Sequence, residues 1–325
     1  MKGLSKDSAN WLEVGEEAEG QRIDNFLLRV CKGVPKSHVY RILRSGEVRV
    51  NKGRVGSDYR VQIGDQVRVP PIRLAAKTET APAAAIPERA FDITYEDDAL
   101  LVLDKPAGVA VHGGSGVSFG VIEQLRRMRP EARMLELAHR LDRETSGLLL
   151  VAKKRSALTR LHDAFRHGNI NKRYLALVKG RWMNSQQHIR LPLLKYLTAG
   201  EERRVMVSPE GKESHSIVRL VARWENFTLV EVELKTGRTH QIRVHLAHLG
   251  FPLAGDDKYG DFALNKELQK TGLKRMFLHA AKLRFTHPLQ EETPPIALEA
   301  PLPPELRAFL RQLERQEKRD HGEAF

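Results

Sequence analysis

Five ionisable side chains, His139, Arg140, Asp142, Arg143 and Glu144, crowd the stretch ELAHRLDRETSGLLLVAKK (residues 136–154), just ahead of Thr145-Ser146-Gly147 and an apolar run. A polar loop at the end of a stiff buried strand is a common mount for a reactive group. A carboxylate held there can work as a base, a nucleophile or the partner of a developing cation. The plainer role for Asp142 is to cap a turn or to pair with Arg140 or Arg143, so geometry decides between these uses.

A second cluster is KTGRTHQIRVHLAH (residues 235–248), where Thr236-Gly237-Arg238 reads as a turn and His240 to Gln241 as the opening of a helix that carries Arg243. Helix N-terminal amides and arginines both favour anions, whether a phosphate or a neighbouring carboxylate. His245 and His248 share a helical face, but no HExxH pattern or cysteine partner accompanies them, and packing or polyanion contact is the better reading than a metal. The stretch 112–116 (HGGSG) has no lysine at phosphate-loop spacing and reads as a tight turn beside the cleft. A third element, KRYLALVKG (residues 172–180), alternates so that Tyr174, Ala176 and Val178 face one way on a strand. Small residues beside one ring leave room for a flat object against Tyr174, although an ordinary core tyrosine satisfies the same pattern.

The elements that must position these groups follow from periodicity. Strand-like runs at 100–103, 109–111, 148–151, 174–178, 216–222 and 228–234 alternate with helical candidates at 119–128, 157–167 and 240–249. Short connections such as 224–227 require antiparallel neighbours. The expected fold class is α+β: a mixed, mainly antiparallel sheet flanked by helices, closed by an amphipathic helix through Leu306, Phe309, Leu310 and Leu313.

Ahead of this unit lies a smaller one. Ile23, Phe26, Leu27 and Val30 have the i, i+3, i+4, i+7 spacing of a helix, and a second helix starting at Pro35 carries Val39, Ile42 and Leu43 and ends at Gly46. Short strands at 48–50 and 61–69 complete a compact α+β module. The expected division is a flexible start (1–19), this module (20–70), a proline- and alanine-rich linker (71–90), the large domain (91–315) and a charged tail (316–325).

Charge says what the small module is for. The chain of 325 residues has 54 Lys and Arg against 41 Asp and Glu, a net +13. Nine basic residues and two acids lie between Arg22 and Arg54, so over half of that excess sits in this short stretch, where Lys36, Arg41, Arg44 and Lys52 are candidate phosphate contacts. A solvated basic face is the plainer alternative. No apolar run approaches a membrane span, the N-terminal MKGLSKDSAN lacks the apolar core of a secretory signal, and the single cysteine, Cys31, cannot form an internal disulfide. A cytoplasmic monomer is expected.

The module resembles the αL-type RNA-binding domain of a small-subunit ribosomal protein and of several RNA-modifying enzymes. The three motifs behind it (HRLDRETSGLLLVAK, KRYLALVKG and TGRTHQIRVHLAHLGFPLAGDDKYG), in this order, resemble the RluA family of RNA pseudouridine synthases over residues 91–301. That resemblance implies isomerisation of uridines in structured RNA, with large-subunit (23S) ribosomal RNA as substrate and partner. It also implies roles: Asp142 as nucleophile, Arg238 as its ion-pair partner, Tyr174 as the ring under the target base, and Arg140 as the side chain that displaces the nucleotide. Substrate contacts are expected from His139, Arg143, Thr145, His240, Gln241 and Arg243. The uracil leaves through N1 and rejoins through C5, with no atom gained and no redox change, so neither cofactor nor metal is expected. A non-catalytic RNA-binding assembly factor and an RNA N-glycosidase are the competing expectations.

Overall fold

The computed structural model describes residues 8–31, 34–72, 89–113, 119–198, 200–290 and 292–320. Lys32, most of the expected linker and most of the HGGSG turn therefore lie outside the described residues.

In the N-terminal unit β1 (Asn10–Glu13) is followed by α1 (Ile23–Val30), α2 (Lys36–Arg44), β2 (Arg49–Val50) and β3 (Gln66–Val69). The strands form an antiparallel sheet in the order β1-β3-β2. Ile23, Phe26 and Leu27 of α1 and Val39, Ile42 and Leu43 of α2 meet Val50, Val67 and Val69 in one core, as their spacing requires. Pro35 sits immediately before α2, where its missing N–H costs nothing, and Gly46 takes a left-handed φ of 72° to end that helix. The expected strand over 61–69 is shorter than its apolar pattern suggests, because Gly64 at φ 82° turns the chain before β3 begins.

The large unit runs β4 (Asp92–Glu96), β5 (Leu100–Lys105), α3 (Val121–Met128), β6 (Glu136–Leu137), β7 (Ser146–Ala152), α4 (Arg155–Arg166), β8 (Asn171–Lys179) and β9 (Gln186–Arg190). It continues with β10 (Leu193–Leu197), β11 (Arg203–Val207), β12 (His215–Arg223), β13 (Phe227–Leu234), α5 (Gln241–His248), α6 (Phe262–Lys270), β14 (Leu278–Phe285), β15 (Ile296–Glu299) and α7 (Pro304–Asp320). Among the described residues the main sheet has ten strands, in the order β4-β5-β7-β14-β8-β13-β12-β9 with β15 on β14 and β6 on β7. Among the described residues only β7 with β14 is parallel, so the sheet is mixed and mainly antiparallel, with helices packed on it. β10 and β11 form a separate hairpin.

Both faces of the central strands are covered, which explains why β5 and β7 read as unbroken apolar runs. Leu101, Leu103, Leu149 and Val151 enter one core together with Tyr174, Ala176 and Val178 of β8. Their neighbours Leu100, Val102, Leu148 and Leu150 enter a second core under α4.

Residues 109–111, expected as a strand, are not one. Their carbonyls are taken by other groups: Val109 O accepts from the Lys105 ammonium, and Ala110 O and Val111 O accept from the first amides of α3. An apolar tripeptide used in this way serves a helix start rather than a ladder.

Candidate active site

The chain between β6 and β7 carries Asp142 across the end of the sheet, and four bonds fix its path. Thr145 N donates to Asp142 O at 3.1 Å and Gly108 N to Arg143 O at 2.9 Å. Arg275 reaches Glu144 O at 3.2 Å. Lys105, fully buried, spreads its ammonium over the carbonyls of Pro106, Val109 and Arg143 at 2.8, 2.8 and 3.0 Å. Burial and the nearby Arg275 charge pull Lys105 down to about 7. Gly147 then lets β7 dock beside β14: its φ is 110°, and a Cβ would stand 2.3 Å from Ala280 O.

Asp142 opens into a cavity of about 800 Å³, lined among others by Arg140, Lys172, Tyr174, Arg238, His240 and Arg243. Its side chain is 26% exposed, and its Oδ2 accepts from Arg243 Nη1 at 3.1 Å. The Arg243 side chain is 6% exposed and also grips Asp256 with two parallel bonds, Nε to Oδ2 at 2.8 Å and Nη2 to Oδ1 at 2.6 Å. Although burial opposes its charge, the hydrogen bond and field of Asp256, followed by Asp142, leave the Arg243 pKa above its ordinary value. The Tyr259 ring packs 5.1 Å from the guanidinium carbon, and its hydroxyl meets His240 Nδ1 at 2.8 Å. His240 sits at φ 52°, with Nε2 3.9 Å from Asp142 Oδ1, and burial lowers its pKa.

The expected pairing of Arg238 with Asp142 is therefore corrected: Arg243 is the partner. Arg238 lies in the exposed turn before α5 and turns its Nε to Glu213 O at 3.1 Å, whereas Arg243 sits one turn into a helix that is buried around most of its circumference. A buried arginine needs an anion, but apolar neighbours at i±1 on a helix do not by themselves bury position 243, so the sequence alone does not single it out. Asp256, which supplies that anion, was not singled out, nor were Lys105, Lys172 and Tyr259.

Gln241 and His139, expected as substrate contacts, both line the cavity and are tied into the fold. Gln241 is buried and fully used within the fold, accepting from Thr236 Oγ1 and Arg238 N while donating to His215 O and Ser216 Oγ. His139 accepts from Leu150 N at 3.1 Å and packs on Phe165, and burial together with Lys172 lowers it to about 3, so it is a neutral wall of the cavity. Thr145 is buried in the loop, and Arg143 caps Gly108 O and pairs with Glu144. Arg140 is exposed at the cavity and has no paired group among the described residues. Tyr174, 6% exposed, forms part of the wall, and burial with the Asp142 charge raises its pKa, keeping the phenol neutral. His245 is held between Ser214 and Ser216, and no group of three or more His, Cys, Asp or Glu arranged to hold a metal occurs among the described residues. Lys36, Arg41, Arg44 and Lys52 are all exposed on the N-terminal unit, far in sequence from the cavity.

Residues 99–248 match the family model for RNA pseudouridylate synthase, and residues 21–67 match that for the S4 domain. The ribosomal large subunit pseudouridine synthase C of Yersinia pestis is 55% identical over 302 residues, covering 92% of this chain and 94% of that protein. Its counterpart from Escherichia coli strain K12 is 51% identical over 311 residues, 94% and 97% of the two chains. Among solved structures, human RNA pseudouridylate synthase domain containing 1 is 26% identical, with a TM-score of 0.57 over 74% of this chain and 98% of its own. Matched by that family model and by relatives more than half identical over nine-tenths of its length, the chain belongs to the RNA pseudouridylate synthase family.

Proposed function

We propose that this enzyme isomerises specific uridines of large-subunit ribosomal RNA, in the cytoplasm, with Asp142 as the reacting carboxylate on a nucleotide swung out of its stack. The single observation that carries the reading is the placement of Asp142: partly open to the cavity, salt-bridged to Arg243, and close enough to Tyr174 for its charge to bear on the phenol. The names of the relatives support the choice of substrate.

The geometry suits the bond changes. The bond from C1′ to N1 must break, C1′ must join C5, and the C5 proton must leave. A carboxylate against C1′ stabilises or traps the positive character that develops as N1 departs. The fixed field of Arg243 and Asp256 holds Asp142 in one orientation, which a freely rotating side chain would lose. Extruding a base costs a few kcal/mol. Tyr174 offers the base a new face, worth ~1–3 kcal/mol in single-strand sites, while Arg140 is free to occupy the vacated stack.

Asp142→Asn should abolish tritium release from RNA labelled at uridine C5 while leaving RNA affinity within about threefold, as expected for loss of a group that acts on the transition state. Substantial release by this variant would overturn the assignment. Free uracil produced by the wild-type enzyme would point instead to a glycosidase.

A further inference from the structure

The cavity holds a cation that the reaction as described does not use. Lys172 lies on β8 two residues before Tyr174, and both line the same cavity. Two residues along a strand span roughly 7 Å, about the reach from the base of a nucleotide past its sugar to a backbone phosphate. Among the described residues the Lys172 ammonium has neither a carboxylate nor a hydrogen-bond acceptor; its Nζ rests 5.1 Å from the centre of the Phe165 ring. Gly237 faces it, where a Cβ would come within 3.8 Å of Nζ, and Arg238 and Arg140 are further cations of the same cavity.

The contrast with the other enclosed cations here is informative. Lys105 has three carbonyls and Arg243 has three carboxylates, those of Asp142, Asp256 and Asp257. Burial pulls Lys172 down to about 8, which still leaves it mostly protonated at neutral pH. A charge withdrawn from water without a counter-ion is costly. The cost is offset if the counter-ion arrives with the ligand.

We infer that Lys172 is a positioning residue that holds one backbone phosphate of the target nucleotide while the Tyr174 ring holds its base. The inference rests on the reading that Asp142 and Tyr174 receive the uridine. It makes β8 a two-point gauge: phosphate at one position and base two residues on, which sets C1′ between them against Asp142.

The test uses the full-length enzyme and a short RNA containing one uridine that the enzyme modifies, prepared with its natural backbone or with a neutral methylphosphonate in place of the phosphate 5′ or 3′ to that uridine. Lys172→Met should weaken binding of the natural RNA about tenfold and reduce the salt dependence of binding by about one counterion, and Lys172→Arg should restore both. One of the two methylphosphonates should weaken binding to the wild type by a similar factor and have no further effect on Lys172→Met. Equal losses with both proteins, or a salt slope unchanged by Lys172→Met, would overturn the inference. These are binding measurements, so they are judged separately from tritium release by Asp142→Asn, whose persistence would sink the reading of Asp142 and leave the phosphate contact to stand or fall by itself. If Lys172→Met does not fold, Lys172→Gln takes its place with the same expectations.

Discussion

A guanidinium almost sealed from water and hydrogen-bonded to two carboxylates, with a third 3.5 Å away, has little freedom, and that is the use the site makes of Arg243. Its planar fork meets Asp256 with two parallel bonds and leaves Nη1 for Asp142. Lysine would keep the charge but lose the fork. Arg243→Lys should therefore lower the single-turnover rate by at least about a hundredfold with RNA affinity nearly intact, whereas Arg243→Met, which also strands the buried Asp256, should cost ~3–5 kcal/mol of stability. Arg238→Ala should do the opposite of the lysine variant, raising KM severalfold with kcat almost unchanged, because its side chain touches Glu213 O and the cavity rather than Asp142. Single-turnover kinetics and thermal melts of the three variants check this. A collapse of kcat in Arg238→Ala would contradict the assignment of Arg243 as partner.

At the scale of elements, the loop that bears Asp142 is rigid because of what lies on either side of it. Before it, Lys105 ties residues 106, 109 and 143 together through their carbonyls; after it, β7 is locked to β14 at Gly147, where Ser146 Oγ also meets His279 Nδ1 at 2.9 Å. An alanine at 147 would need both a left-handed backbone and space that Ala280 O occupies. Gly147→Ala should destabilise the protein by roughly 2–4 kcal/mol, the range for a strained backbone plus a steric clash, as read from denaturant midpoints. It should also depress activity beyond the loss of folded protein. Full activity in the folded fraction would mean that the sheet register does not set the position of Asp142. Much of this scaffold was legible from sequence, since β5, β7, β8, β12 and β13 are long apolar or alternating runs and α1, α2 and α4 have clear stripes. The hairpin β10 and β11, the strands β14 and β15, and α6 were not. Their residues are mixed in polarity, as in LLKYL and RRVMV, and become strands by pairing with partners that only the fold supplies.

For the whole molecule, the question is how a basic S4 domain and a cavity in a separate unit act on one RNA. Lys36, Arg41, Arg44 and Lys52 are exposed, and none of them belongs to the cavity. Such a surface adds affinity through counterion release without choosing a base. Removing residues 1–72 should therefore weaken RNA binding and flatten its salt dependence by several counterions, while a small target RNA at saturating concentration is still isomerised; an unchanged slope in filter-binding titrations would assign the domain another task. By itself the sequence determined the two-unit plan, the class of the sheet, the basic face of the first unit and the three stretches that build the cavity, because periodicity, turn residues and charge density are local properties of the chain. Which arginine faces Asp142 was decided only by tertiary structure, as were the hydrogen bonds that tie Gln241 and His139 into the cavity wall. Asp142 and Arg243 are 101 residues apart, and the pairing of two charges across such a distance depends on the direction in which a helix enters and on what is buried beside it. No spacing along the chain encodes that.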